Sequence, residues 1–133
     1  MTALRFTVRP GQSIFDQMVF AAQKAILSGE YRAGQTFPSV RLLAVDLKVH
    51  PNTAHKAVQH LIKERWLEVH PGKGTVVAVP PKARDGDRQR LLQQEVEQLV
   101  VEAKRVGVRL QEVVQAISTE WSKIDKAREV NSR

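Results

Sequence analysis

The chain of 133 residues, 42% hydrophobic and 26% charged, suffices for one full domain plus an appendage and is too apolar for wholesale disorder. It has no cysteine, which removes disulfides, thiol nucleophiles and thiolate metal sites and fits a reducing, cytoplasmic setting. The net charge of +7 is uneven: residues 1–79 hold 10 Lys/Arg against 5 Asp/Glu, residues 80–90 hold 4 against 2, and residues 91–133 hold 7 against 7.

An excess of cations in the first two thirds is the footprint expected of a nucleic-acid-binding region. The opening MTALRFTVRPGQ has no continuous apolar run and reads as mature protein. Nowhere do about 18 apolar residues follow one another, so no membrane span is expected. The first predicted helix carries Ile14, Met18, Ala22, Ala25 and Ile26 at helical spacing, and Gly29 can stop it after Ser28. YRAGQTFPSV follows as a loop. Ser39 is placed to cap a short second helix whose inner face is Val40, Leu43, Ala44 and Leu47.

A tight turn, Lys48-Val49-His50, leads to Pro51, which suits a first helical position because its missing N–H costs nothing there. The third helix turns Ala54, Ala57, Val58, Leu61 and Ile62 inward. Its outer face then presents Asn52, Thr53, Lys56, Gln59 and Lys63. Short polar groups stand at the helix N-terminus and cations follow, which suits base edges first and phosphates later. WLEVH and TVVAV read as two strands around the glycine-bearing turn PGKG. Helix, short helix, tight turn, helix and hairpin form the layout of a winged helix-turn-helix.

Residues 80–90, PPKARDGDRQR, break the pattern with two prolines, a glycine and a cluster of charges. The expected organisation is a DNA-binding domain over 1–79, a linker over 80–87 and a two-helix region over 88–133. In that tail Leu92, Val96, Leu99, Ala103 and Val106 step by four and three, as do Leu110, Val113 with Val114, Ile117, Trp121 and Ile124. Gly107 sits where a helix C-cap belongs, so the tail is expected to form a helical hairpin. Two such helices cannot bury both stripes on each other, and a second copy of the chain would close a four-helix arrangement. The fold class is therefore mostly α with a small β-hairpin wing, followed by a helical hairpin that dimerises.

The stretch from SGEYRAGQ through PSVRLLA, VHPNTAHKAVQHL and GKGTVVA closely resembles the DNA-binding domain of GntR-family regulators. With the first helix, the likeness covers roughly residues 10–79, and the short tail is similar to the YtrA subfamily. The resemblance implies a regulator, commonly a repressor, that binds a palindromic DNA operator as a homodimer. It implies that Ser39 and Arg41 contact phosphate or nearby bases. Asn52, Thr53, His55 and Lys56 would face the major groove or its phosphates, with Gly72, Lys73, Gly74 and Thr75 at the wing tip near the minor groove. Many relatives carry an arginine where this chain has Pro51, and another around His55-Lys56. Guanine readout therefore passes to Arg41 as the better candidate.

Other chemistries find less support. His50, His55 and His60 are spaced by five, not by the four that would put two ligands on one helical face, so no metal is expected. No cofactor motif is present, no Gly-rich phosphate loop opens a helix, and the acids are scattered on outer faces, which excludes an enzyme. The small tail leaves little room for an enclosed effector pocket except at a dimer seam. The competing reading is a winged-helix protein-interaction module, since fold alone does not settle function. The retained Lys56, Lys63 and Lys73 favour DNA.

Overall fold

The computed structural model describes residues 4–5, 9–79 and 83–132. The centre of the expected linker, residues 80–82, lies outside them. Three helices, α1 (Ile14–Leu27), α2 (Val40–Leu47) and α3 (Pro51–Lys63), precede an antiparallel hairpin of β1 (Leu67–His70) and β2 (Gly74–Val77). The tail begins as α4 (Asp87–Gln89), runs on through a π-helical stretch (Arg90–Glu95) into α5 (Val96–Val106), and returns as α6 (Leu110–Asn131).

Local chemistry sets most of these boundaries. Ser13 and Ser39 each accept a backbone N–H three residues on, from Asp16 and Leu42, which satisfies a donor that the first helical turn cannot. Pro51 opens α3, and the His50 Nδ1 accepts the Asn52 N–H at 3.1 Å. Lys48 ends α2 in the left-handed region, at φ 55°, where no glycine is available. That conformation turns the chain sharply into α3.

The core joins the three helices to the hairpin. Met18, Ala22, Leu43, Ala54, Leu61, Leu67 and Val77 are all buried, and the Tyr31 and Phe37 rings meet at 5.2 Å beside them. Trp66 packs against the same cluster. Ile14, assigned to the inner face of α1, is instead exposed. Phe15 takes that place, packed on the core with its ring edge toward His60 at 5.4 Å.

The segment expected as a loop before α2 has a structural role. Gly34 donates to the Val77 carbonyl, Val77 to that of Gln35, and Phe37 to that of Thr75, at 2.8, 2.9 and 2.8 Å. Residues 34–37 thus line the free edge of β2 and tie the wing to the entrance of α2. The wing turn is also tighter than expected. Pro71, Gly72 and Lys73 form it, and Gly74 is already in β2 opposite His70.

The tail adds two features to the expected hairpin. Its second helix runs past Ile124, the last residue of its apolar stripe, to Asn131. The π-helical stretch widens the turn between Leu92 and Val96, so the apolar stripe changes phase there. Neither α5 nor α6 contains a buried residue, and Leu92, Val96, Leu99, Val106, Leu110, Val114, Ile117 and Trp121 are exposed, while Ala103, Val113 and Ile124 are half-buried. The two helices therefore do not bury their stripes on each other. Charged and polar residues share the remaining surface with the exposed Val100 and Val101. Arg105 grips Glu102 with two hydrogen bonds, which hold that carboxyl below its ordinary range and raise the guanidinium.

Candidate nucleic-acid interface

The candidate interface is assembled from three elements that share one core: the start of α2, the outer face of α3 and the wing. Burial of Ala54, Ala57, Val58 and Leu61 fixes the rotation of α3. At helical spacing this leaves Asn52, His55, Lys56 and Gln59 exposed on the opposite side. Thr53 is half-buried at the edge of that face.

His50 caps the N-terminus of α3 through the Asn52 N–H, and Pro51 and Asn52 at that end are exposed. The first turn is therefore open to an approaching duplex, and the N-terminal end of a helix favours phosphate. Asn52, with both an acceptor and a donor on its amide, occupies this turn. Lys56 follows one turn later.

On α2, Ser39 and Arg41 are exposed. The Ser39 oxygen holds the helix cap, which leaves its O–H able to donate outward. At the wing, Lys73 is exposed between Gly72 and Gly74, whose φ angles of 82° and 87° are available to glycine at little cost. Nothing lies within 4 Å of where a Cβ would stand on either glycine, so the tip is open on both sides. Thr75 sits further in, half-buried in β2 opposite Val69.

This face carries four exposed cations, Arg41, Lys48, Lys56 and Lys73. The side chains of Arg41, Lys48, Lys56 and Lys73 take part in no ion pair or hydrogen bond among the described residues. Elsewhere Arg84, Arg90, Arg105, Arg109 and Lys123 face an acid within 4 Å, whereas Lys24, Arg65, Arg88, Lys104 and Lys126 are, like the interface cations, without an ion pair among the described residues. Cations without internal partners keep their donors for an external anion. Lys48 was not among the residues singled out by sequence. Its only signal was its place in the turn between two helices.

Among the described residues, no group of three His, Asp or Glu is placed to share a metal ion, and no helix is long and apolar enough to cross a membrane. His50 caps α3 and His60 packs on Phe15. His70 lies 3.1 Å from Glu68 on the wing.

The double role of Ser39 can be separated by substitution. Ser39→Ala should lower unfolding free energy by about 1 kcal/mol through the lost cap. Ser39→Asp should keep the cap and the stability yet weaken DNA binding by repelling phosphate. Urea unfolding and duplex titration of both variants check this. An unchanged midpoint for the alanine variant, or unimpaired binding by the aspartate variant, would contradict the assignment.

Comparison with known proteins adds four findings. Residues 19–77 match the gntR family of bacterial regulatory proteins. Over 107 residues the chain is 29% identical to the HTH-type transcriptional repressor YtrA of Bacillus subtilis (strain 168), covering 79% of this chain and 82% of that protein. A transcriptional antiterminator from Listeria monocytogenes EGD-e has a similar structure, with a TM-score of 0.80 at 21% identity over 92% of this chain and 94% of that one. YtrA from Sulfolobus acidocaldarius, a GntR-family transcription factor, gives a TM-score of 0.59 at 22% identity over 75% of this chain and 99% of that one. The structural likenesses establish the fold, tail included.

Proposed function

The chain belongs to the GntR family of bacterial regulatory proteins, and from that premise we propose that it is a repressor that binds a palindromic operator as a homodimer. It is a DNA-binding transcription regulator, and its family relatives are regulators and not enzymes. The observation that carries the proposal is the unpartnered cation set on α2, α3 and the wing, standing beside the open N-terminus of α3. In the proposed complex Asn52, His55 and Lys56 enter the major groove, Thr53 borders it, and Ser39 and Arg41 flank it. Lys73 reaches along the adjacent minor groove.

The homodimer is supported by the tail. Its apolar stripes lie open along two helices that do not cover each other, and the charges of residues 91–133 balance at 7 against 7. A neutral surface with two apolar seams suits another copy of itself better than a charged partner, and twofold pairing makes such a surface self-complementary. A dimer of this kind reads two half-sites related by the same twofold. The similarity to a repressor supports repression over activation.

Salt dependence tests the DNA assignment. Each phosphate neutralised adds about −0.9 to the slope of log K against log salt. Lys73→Ala should weaken operator and random duplex alike and flatten that slope by about one contact per subunit. Titrations over a range of salt concentrations measure both. An unchanged slope and affinity would remove the wing from the interface and favour an interaction module instead.

A further inference from the structure

The tail is fastened to the DNA-binding domain at both of its ends. At its start, the Arg84 guanidinium donates to the carbonyl of Lys63, the last residue of α3, and lies 3.6 Å from the carboxylate of Glu64, the residue that caps that helix. The Arg84 backbone N–H in turn donates to the Asp87 carboxylate at 2.7 Å, where α4 begins. At its far end, the Asn131 amide donates to the Ser28 carbonyl at 2.8 Å, and Arg32 donates to the Asn131 carbonyl. Beside the first fastening lies an open cleft of about 800 Å³, bordered by Leu27, His60, Glu64, Trp66, Arg88 and Leu91.

The two fastenings differ in what they hold. Asn131 is joined to the end of α1, which lies away from the candidate interface. Arg84 is joined to α3 itself. The last carbonyls of a helix have no partner within it and carry its negative dipole end. A guanidinium arriving from a residue 21 positions along the chain therefore meets both an orphan acceptor and a carboxylate. Its planar fork engages two adjacent residues at once, which fixes direction as well as distance. Arg84 and Glu64 are partly exposed, at 39% and 31% of their side chains, so the pair adds little to folding. Its effect is on geometry.

We propose that Arg84 is a spacing-determining residue: it locks the base of the tail to the C-terminal end of α3 and so fixes the separation and phase of the two recognition helices in a dimer. The inference rests on the dimeric reading above. One base pair of extra spacing moves a half-site by about 3.4 Å and turns it by about a tenth of a turn around the duplex. A dimer whose recognition helices are held firmly to the tail rejects that displacement. One whose helices pivot about the domain junction accepts it.

The test uses the full chain and duplexes that carry two copies of the half-site selected by the wild-type protein. Their centre separation is stepped one base pair at a time over about one helical turn. Sedimentation gives the oligomeric state, and a single half-site duplex gives the intrinsic affinity of each domain. Arg84→Ala is expected to remain dimeric and to bind the single half-site as wild type does. Its preference for the best spacing over neighbouring ones should shrink by about fivefold or more. Arg84→Lys keeps a charge but cannot hold both partners, and should fall between the two.

Dimeric Arg84→Ala with the wild-type spacing profile would overturn the inference and leave the dimer intact. Equal losses on the single half-site and on every spacing would also overturn it, since that pattern marks a merely structural role. A wild-type chain that sediments as a monomer would overturn the dimeric reading and this inference together.

Discussion

Charging the open stripes of the tail, as in the double variant Leu99→Glu with Ile117→Glu, is expected to yield a folded monomer whose operator affinity is lower by about a hundredfold or more. Both residues are exposed in the single chain, so neither carboxylate is forced into the core of the DNA-binding domain. The stability of residues 9–79 should hardly change. In a dimer the same positions would lie in the seam, where an unpaired charge is costly to bury. The affinity loss follows from linkage. A dimer that holds one half-site meets the second at an effective concentration in the millimolar range, which multiplies affinity by about 10²–10⁴ without any new contact. The monomer retains only the single-site term. Sedimentation and duplex titration, run side by side, measure both quantities. A variant that still dimerises tightly would remove these stripes from the interface. A clean monomer with undiminished operator affinity would show that DNA recognition does not need the second copy.

The second large effect is expected at the residues closest to base edges. Asn52→Ala and Arg41→Ala should each cost about 1–3 kcal/mol on the operator, roughly 5- to 150-fold in affinity. Asn52 lies in the open first turn of α3, where its amide can pair with adenine through two hydrogen bonds. Neither residue is part of the core, so both variants should fold as well as wild type. Arg41 has two possible roles with different signatures. If its guanidinium reads guanine, its loss relaxes preference at one symmetric pair of positions. If it clamps phosphate, every sequence weakens together and the salt slope falls. Selection from randomised duplexes with wild type and both variants separates these outcomes. Selected sites without a dyad, or variants with unaltered affinity and preference, would rule out α3 as the reading helix.

The sequence by itself determined the order and type of every main element of the DNA-binding domain. The signals were short-range: apolar residues at helical spacing in α1 to α3, a serine at the cap of α2, proline at the first position of α3, and glycines in the wing turn. Each acts through bonds or contacts within about four residues, so a local pattern is enough to reveal it. The outer face of α3 was legible for the same reason. Once Ala54, Ala57, Val58 and Leu61 are assigned inward, the pitch of the helix places Asn52 and Lys56 outward. The uneven charge pointed to a polyanion before any element was drawn.

Only the tertiary structure decided how these parts are joined. Residues 34–37 line β2 through backbone hydrogen bonds, and backbone groups are the same at every residue, so no side-chain pattern announces the pairing. Lys48 adopts a left-handed conformation usually left to glycine, because the packing of α2 against α3 imposes the turn. Ile14 yields its inner place to Phe15: both positions fit the helical spacing to Met18, and packing against the rest of the core chose between them. The extension of α6 to Asn131 and the clamp of Arg84 on the end of α3 join residues about 100 and 21 positions apart. Their bonding depends on where the whole fold brings a carbonyl and a donor together. Helices, caps and faces are properties of neighbouring residues, whereas the coupling of the tail to the reading helix is a property of the folded chain.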